Sequence, residues 1–190
     1  LEDILTEKNE SSDQDKISHL ENEQKKDRFS KQRKSILDRF GEKLKEFLEI
    51  LSNACYEYLR QQVLSGVNAL QIFDSWANIL DENRLNEFSM QFINKLSYAL
   101  KNDKVTSETP IILFSRDPKC SNLSLINDSG ADCLSLYWNM KDFDLNLARN
   151  KVSLQGNLDP RILLEPKNEI KYQTHKVLNK FKDYPGYIFN

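Results

Sequence analysis

The stretch KVSLQGNLDPRILL, residues 151–164, decides the fold. Residues 152–155 form a short β-type run without clean in-and-out alternation, which suits a strand covered on both faces. Gly156 ends that run in a chain with only five glycines. Asn157 and Asp159 can bond nearby backbone, and Pro160 suits the first turn of a helix. Strand, glycine, capped helix is the strand-to-helix turn of a parallel α/β unit. The carboxy-terminal end of the strand is where such folds place a ligand. A glycine there either lets something approach the backbone closely or lets the strand turn sharply.

Working outward, the same alternation repeats. Leu44, Phe47, Leu48, Leu51, Cys55, Leu59 and Val63 recur at helical spacing and Gly66 offers a left-handed stop. A strand at ALQIF (69–73) follows, then a helix on Leu85, Phe88, Phe92, Leu96 and Leu100. IILFS (111–115) is a strand, Leu123 to Ile126 a short helix, and CLSLYW (133–138) a strand again. Phe143 to Ala148 makes a brief helix; Ile170, Thr174, Val177 and Phe181 mark a long one before Gly186 and YIFN. SGVNALQIF (65–73) and SGADCLSLY (129–137) share one pattern, as stacked βα units do. Five short strands alternating with helices give an α/β fold with a parallel sheet. Gly66, Gly130 and Gly186 then lie between a helix and the next strand, and Gly156 alone lies at a strand's carboxy-terminal end.

Bulk properties narrow the function. A net charge of −2 gathers neither nucleic acid nor an anionic membrane. Acidic neighbours balance the basic run KKDRFSKQRK (25–34), so no nucleic-acid partner is expected. No apolar run approaches the roughly 20 residues that span a bilayer, so no membrane partner is expected either. Cys55, Cys120 and Cys133 are odd in number and widely spaced, as reduced thiols are. The solitary glycines make no phosphate loop. Residues 1–26 are almost wholly polar and are expected to be a disordered insert. The domain occupies 27–190. The chain opens on Leu, and more sequence is expected upstream.

QIFDSWANIL (71–80) and LQGNLDP (154–160), with SKQRKSIL (30–37) and GYIFN (186–190), resemble the carboxy-terminal half of the uroporphyrinogen decarboxylase family. SGADCLSLYW stands in register with that family's Gly-Ala-Asp…Leu-Asp-Trp strand. The resemblance implies a (β/α)8 TIM barrel, of which these strands are the fourth to the eighth. It implies a cofactor-free enzyme that removes four carboxylates from the acetate groups of a tetrapyrrole, uroporphyrinogen, as a homodimer. The sequence does not set the compartment; the default expectation is the cytoplasm, or a plastid if an address lies upstream.

Carried over residue by residue, the resemblance makes Ser75 a substrate-contacting hydroxyl; Phe73 flanks it as an aromatic wall for the substrate or, equally, as core. Trp76 divides between wall and core, with core favoured. Arg116 is the basic residue expected after its strand, suited to a substrate with eight carboxylates. Asp74 reads as a structural carboxylate bonding local backbone. Gln155, Gly156, Asn157 and Asp159 build the rim. No catalytic residue is assigned within the chain and no metal is expected. The family's catalytic Asp, its Met-Arg-Gln-Ala-Gly-Arg loop and its Tyr belong to the first half of the barrel, and its late His to sequence beyond Asn190. By itself the chain is expected to be inactive.

Two features depart from the family pattern. Tyr137 stands where Asp is usual, and FSRDPKC replaces a Phe-x-Lys-Gly turn. They motivate one rival, an inactive half-barrel or interaction fragment. A second rival is a corrinoid/thiol methyltransferase of the same superfamily, which needs His and Cys zinc ligands at the rim. Here His19 lies in the polar tail, His175 off its helix's apolar face, and Cys133 at the opposite strand end.

Overall fold

The computed structural model describes residues 39–116, 129–140, 143, 145–149 and 151–190. The expected insert at 1–26 and the expected helix at Leu123 to Ile126 fall outside these residues. The chain divides into two compact units, Leu1–Glu46 and Phe47–Asn190. Helix α1 (39–64) begins in the first and runs on in the second. The sheet and its helices belong to the second unit.

Five strands, β1 (Leu70–Asp74), β2 (Ile111–Ser115), β3 (Cys133–Ser135), β4 (Ser153–Gln155) and β5 (Tyr187–Ile188), form one sheet in the order β1-β2-β3-β4-β5. Every pairing is parallel. Between them lie α2 (Glu82–Leu85), a π-helical turn (Asn86–Met90) continuous with α3 (Gln91–Asn102), α4 (Leu145–Ala148), a 3-10 turn (Pro160–Leu164) and α5 (Lys167–Phe181). Several elements are shorter than their sequence runs, β4 among them, which omits Val152. The strand expected over 133–138 stops at Ser135, and the helix expected from Phe143 starts at Leu145. At β3 the chain leaves the ladder to make the turn at Trp138 and Asn139, so apolar character outruns strand geometry. Among the described residues no helix is long and apolar enough to cross a membrane.

The register explains the packing. Ile72, Leu113, Leu134, Leu154 and Tyr187 are successive partners across all five strands. All five belong to one apolar cluster that also takes Phe181 of α5, Met90 of the π-helical turn and Ala148 of α4. Side chains two apart share a face, so this row is the helix-covered side. Phe181 stacks on Tyr187, ring centroids 4.5 Å apart and planes 10° from parallel. A second cluster seats Leu59 of α1, with Cys55, Tyr56 and Val63 beside it, against Leu70, Leu96, Leu100 and Ile111. Cys55, Leu59 and Val63 fall on the expected helical stripe; Tyr56 joins them from outside it, while Phe47 and Leu51 of that stripe are exposed.

One residue along, Phe73, Phe114, Ser135, Gln155 and Ile188 are also successive partners. This row lies on the other face. Phe73 and Phe114 meet at 5.8 Å, tilted by 59°, and Gln155 donates to Ser135 Oγ at 3.4 Å. This face is therefore part aromatic and part polar.

Candidate functional site

A cleft of about 350 Å³ opens at the carboxy-terminal ends of the strands on that face. This volume is within the range of small-molecule sites. Every strand contributes a wall: Phe73 within β1 and Ser75 after it, Arg116 after β2, Tyr137 and Trp138 after β3, Gly156 and Asn157 after β4, and Asn190 after β5. Sequence separation between these groups reaches from residue 73 to residue 190. Parallel pairing collects them at one end.

A belt of hydrogen bonds fixes the lip. Arg116 N donates to Asp74 O at 3.0 Å, Leu136 N to Gln155 O at 2.8 Å, Gly156 N to Ile188 O at 3.0 Å and Leu158 N to Asn190 O at 3.2 Å. Asn157 Nδ2 donates to Tyr137 O at 3.2 Å, tying the loop after β4 to the loop after β3. Gly156 has φ +105°, and a Cβ built on it would stand 3.0 Å from Leu136 O. The group that approaches this glycine closely is the neighbouring strand's own carbonyl.

Several side chains sit otherwise than the sequence suggests. Trp76, favoured as core, is 70% exposed, because the turn after β1 carries it outward and Ala77 fills the buried place instead. Phe73 is 63% exposed and fronts the cleft. Asp74 is expected to bond local backbone, but its carboxylate meets a side chain fifteen residues on. Ser89 Oγ, on the π-helical turn, donates to Asp74 Oδ2. Asp159 caps the 3-10 turn, accepting from Arg161 N at 3.0 Å.

Three residues that the sequence left unmarked hold the lip or the end of β1 beside it. Arg161 grips Asp159 through Nε and, at 2.6 Å, through a second nitrogen, and lays its guanidinium 4.3 Å from the Trp138 ring centroid. The hydrogen bond to Arg161 draws the Asp159 carboxyl below its ordinary value, and the same bond raises Arg161. Tyr187 OH donates to Gly156 O, and burial pushes this phenol up to about 12. Ser89 is the third. An Asp-x-Arg spacing at a helix start was the available signal for Arg161; nothing local marks the other two.

Comparison with known proteins decides what this lip belongs to. The uroporphyrinogen decarboxylase family model matches residues 23–190. The chain belongs to the uroporphyrinogen decarboxylase family. The uroporphyrinogen decarboxylase of Chlorobaculum tepidum is 38% identical over 152 residues, which cover 76% of this chain and 42% of that protein. That of Chlorobaculum parvum is 35% identical over 164 residues, 83% of this chain and 45% of the relative. In Paraburkholderia phytofirmans the values are 32% over 161 residues, 83% and 43%. The chain spans less than half the length of these relatives. The family's fold is a (β/α)8 barrel, with which a five-stranded parallel sheet is consistent as a part, and the cleft lies at the strand ends where such barrels place their sites.

Proposed function

We propose that this chain supplies the carboxy-terminal side of a uroporphyrinogen decarboxylase active site, through strands four to eight of the barrel. The reaction removes the four acetate carboxyl groups of uroporphyrinogen III to give coproporphyrinogen III, in porphyrin and haem biosynthesis. In each step a C–C bond breaks, CO2 leaves, and a proton takes its place. The observation that carries the reading is the meeting of Phe73, Ser75 and Arg116 at one cleft of a chain in this family. Phe73 and Phe114 offer aromatic faces to a pyrrole ring, Ser75 a hydroxyl, and Arg116 a cation to a carboxylate. Asp74, Gly156, Asn157 and Asp159 hold the lip, and residues 1–22 stand outside the family match. The acid–base groups come from chain not included in these 190 residues, so the chain alone binds but does not turn over. The working enzyme is a cytoplasmic homodimer needing no cofactor.

Titrating the chain with uroporphyrin, the stable oxidised octacarboxylate, tests the binding half. Arg116→Ala is expected to weaken binding about tenfold, the size of one charge-assisted hydrogen bond, and Ser75→Ala about threefold. Coproporphyrinogen should appear only when the remaining barrel segments of a relative are co-expressed. Unchanged affinity in both variants would remove these residues from the site. Tyr137 at the cleft supports a second reading, an inactive half-barrel. Binding without turnover in the completed barrel would favour it.

A further inference from the structure

Two arginines at the lip lie over two consecutive aromatic rings, and they differ in one respect. Arg161 lies over Trp138, and Asp159 neutralises it through a two-pronged ion pair. Arg116 lies 5.7 Å from the centroid of Tyr137, and among the described residues no carboxylate pairs with it. The Tyr137 and Trp138 rings contact each other at 5.4 Å, tilted by 58°. The Tyr137 backbone carbonyl is held by Asn157 Nδ2. The residue is therefore fixed through both its ring and its backbone.

An aromatic face attracts a guanidinium without cancelling its charge. A carboxylate at position 137 would form an ion pair with Arg116 and compete with any incoming anion. A phenol ring restrains the same cation and leaves its N–H fork free. We propose that Tyr137 is a positioning residue that holds Arg116 as a preorganised receptor for one carboxylate of a polycarboxylate ligand. This rests on the functional reading above for the identity of that ligand, though the receptor itself requires only a carboxylate.

The test uses the whole 190-residue chain and two probes: uroporphyrin, and mellitate, a benzene hexacarboxylate without a macrocycle. Tyr137→Leu is expected to weaken both about threefold to fivefold, and Tyr137→Asp tenfold or more. Tyr137→Phe keeps the ring and should restore affinity to within twofold. In an Arg116→Ala background Tyr137→Leu should have no further effect, because the two residues act as a unit. A purely structural role would lower affinity in either background and would shift the thermal midpoint, which is expected to stay put. Mellitate binding with this coupling, but no uroporphyrin binding, would uphold the receptor and defeat the decarboxylase reading. Uroporphyrin binding with additive effects at Tyr137 and Arg116 would overturn the receptor alone. Failure of both probes to bind would overturn both.

Discussion

The two ends of the sheet handle charge in opposite ways. At the amino-terminal ends, carboxylates are saturated. Asp103 accepts from Tyr56 OH at 2.6 Å, Arg60 Nε at 2.7 Å and Val105 N at 2.8 Å, pinning the end of α3 to α1. Asp132 accepts from Lys101 Nζ and from Ile111 N, both at 2.7 Å, while its own carbonyl receives Ser153 N. At the carboxy-terminal ends Asp159 and Arg161 satisfy each other, but Arg116 keeps a ring for company in place of an acid. The upper end is not looser in its backbone, as the belt of hydrogen bonds around Gly156 testifies. What distinguishes it, among the described residues, is an uncompensated cation on a fixed frame, and that arrangement favours an anionic ligand.

The sharpest way to break that comparison is a methyl group. Gly156→Ala places a Cβ 3.0 Å from Leu136 O at φ +105°. Backbone strain and overpacking together are expected to cost about 3 kcal/mol. Gly66, at the other end, has φ +94° and nothing within 4 Å of an added Cβ. Gly66→Ala meets strain only and should cost about 1–2 kcal/mol. Urea unfolding of both variants measures the difference. Equal losses would mean that the lip is no more tightly packed than a surface turn.

Acid separates the ends next. Hydrogen bonding from Tyr56, then from Val105 and Arg60, holds the Asp103 carboxyl at about 2, against an ordinary value of 3.8. A depressed folded value means that the contribution to stability is full above the unfolded value. It is lost as pH falls from about 4 towards 2, where the unfolded chain takes up the proton first. Asp103→Asn should remove up to about one proton from the slope of stability against pH in that window. An unchanged slope between pH 4 and pH 2 would show that Asp103 is not part of the acid-sensitive frame.

Much of the fold is legible in the sequence, for physical reasons. Strands buried by helices need apolar residues, so IILFS and LQIF stand out, and a positive φ needs glycine, so the boundaries at 66, 130, 156 and 186 stand out too. Side-chain direction past a strand end is not legible. Trp76 is an aromatic next to a buried Ala77, and only the path of the turn decides which of the two points inward. Asp74 and Ser89, or Arg161 and Trp138, meet through tertiary geometry that no local pattern encodes. The family motif locates the cleft; it does not say which of the two arginines there is already neutralised.

The smallest effect concerns Cys133, and it is expected to be a null result. The thiol begins β3 at the saturated end, is 4% exposed, and is pushed up to about 11, mainly by burial and further by the Asp132 carboxylate. Only the thiolate is a competent nucleophile, and at about pH 8 such a group is almost entirely protonated as well as shielded. Iodoacetamide should therefore leave Cys133 unmodified in the folded chain, as read by mass spectrometry of the Cys133 peptide, and alkylate it fully in urea. The same peptide labelled rapidly without denaturant would mean that the strand starts open to solvent. The contrast between a closed lower end and a receptive upper one would then lose its lower half.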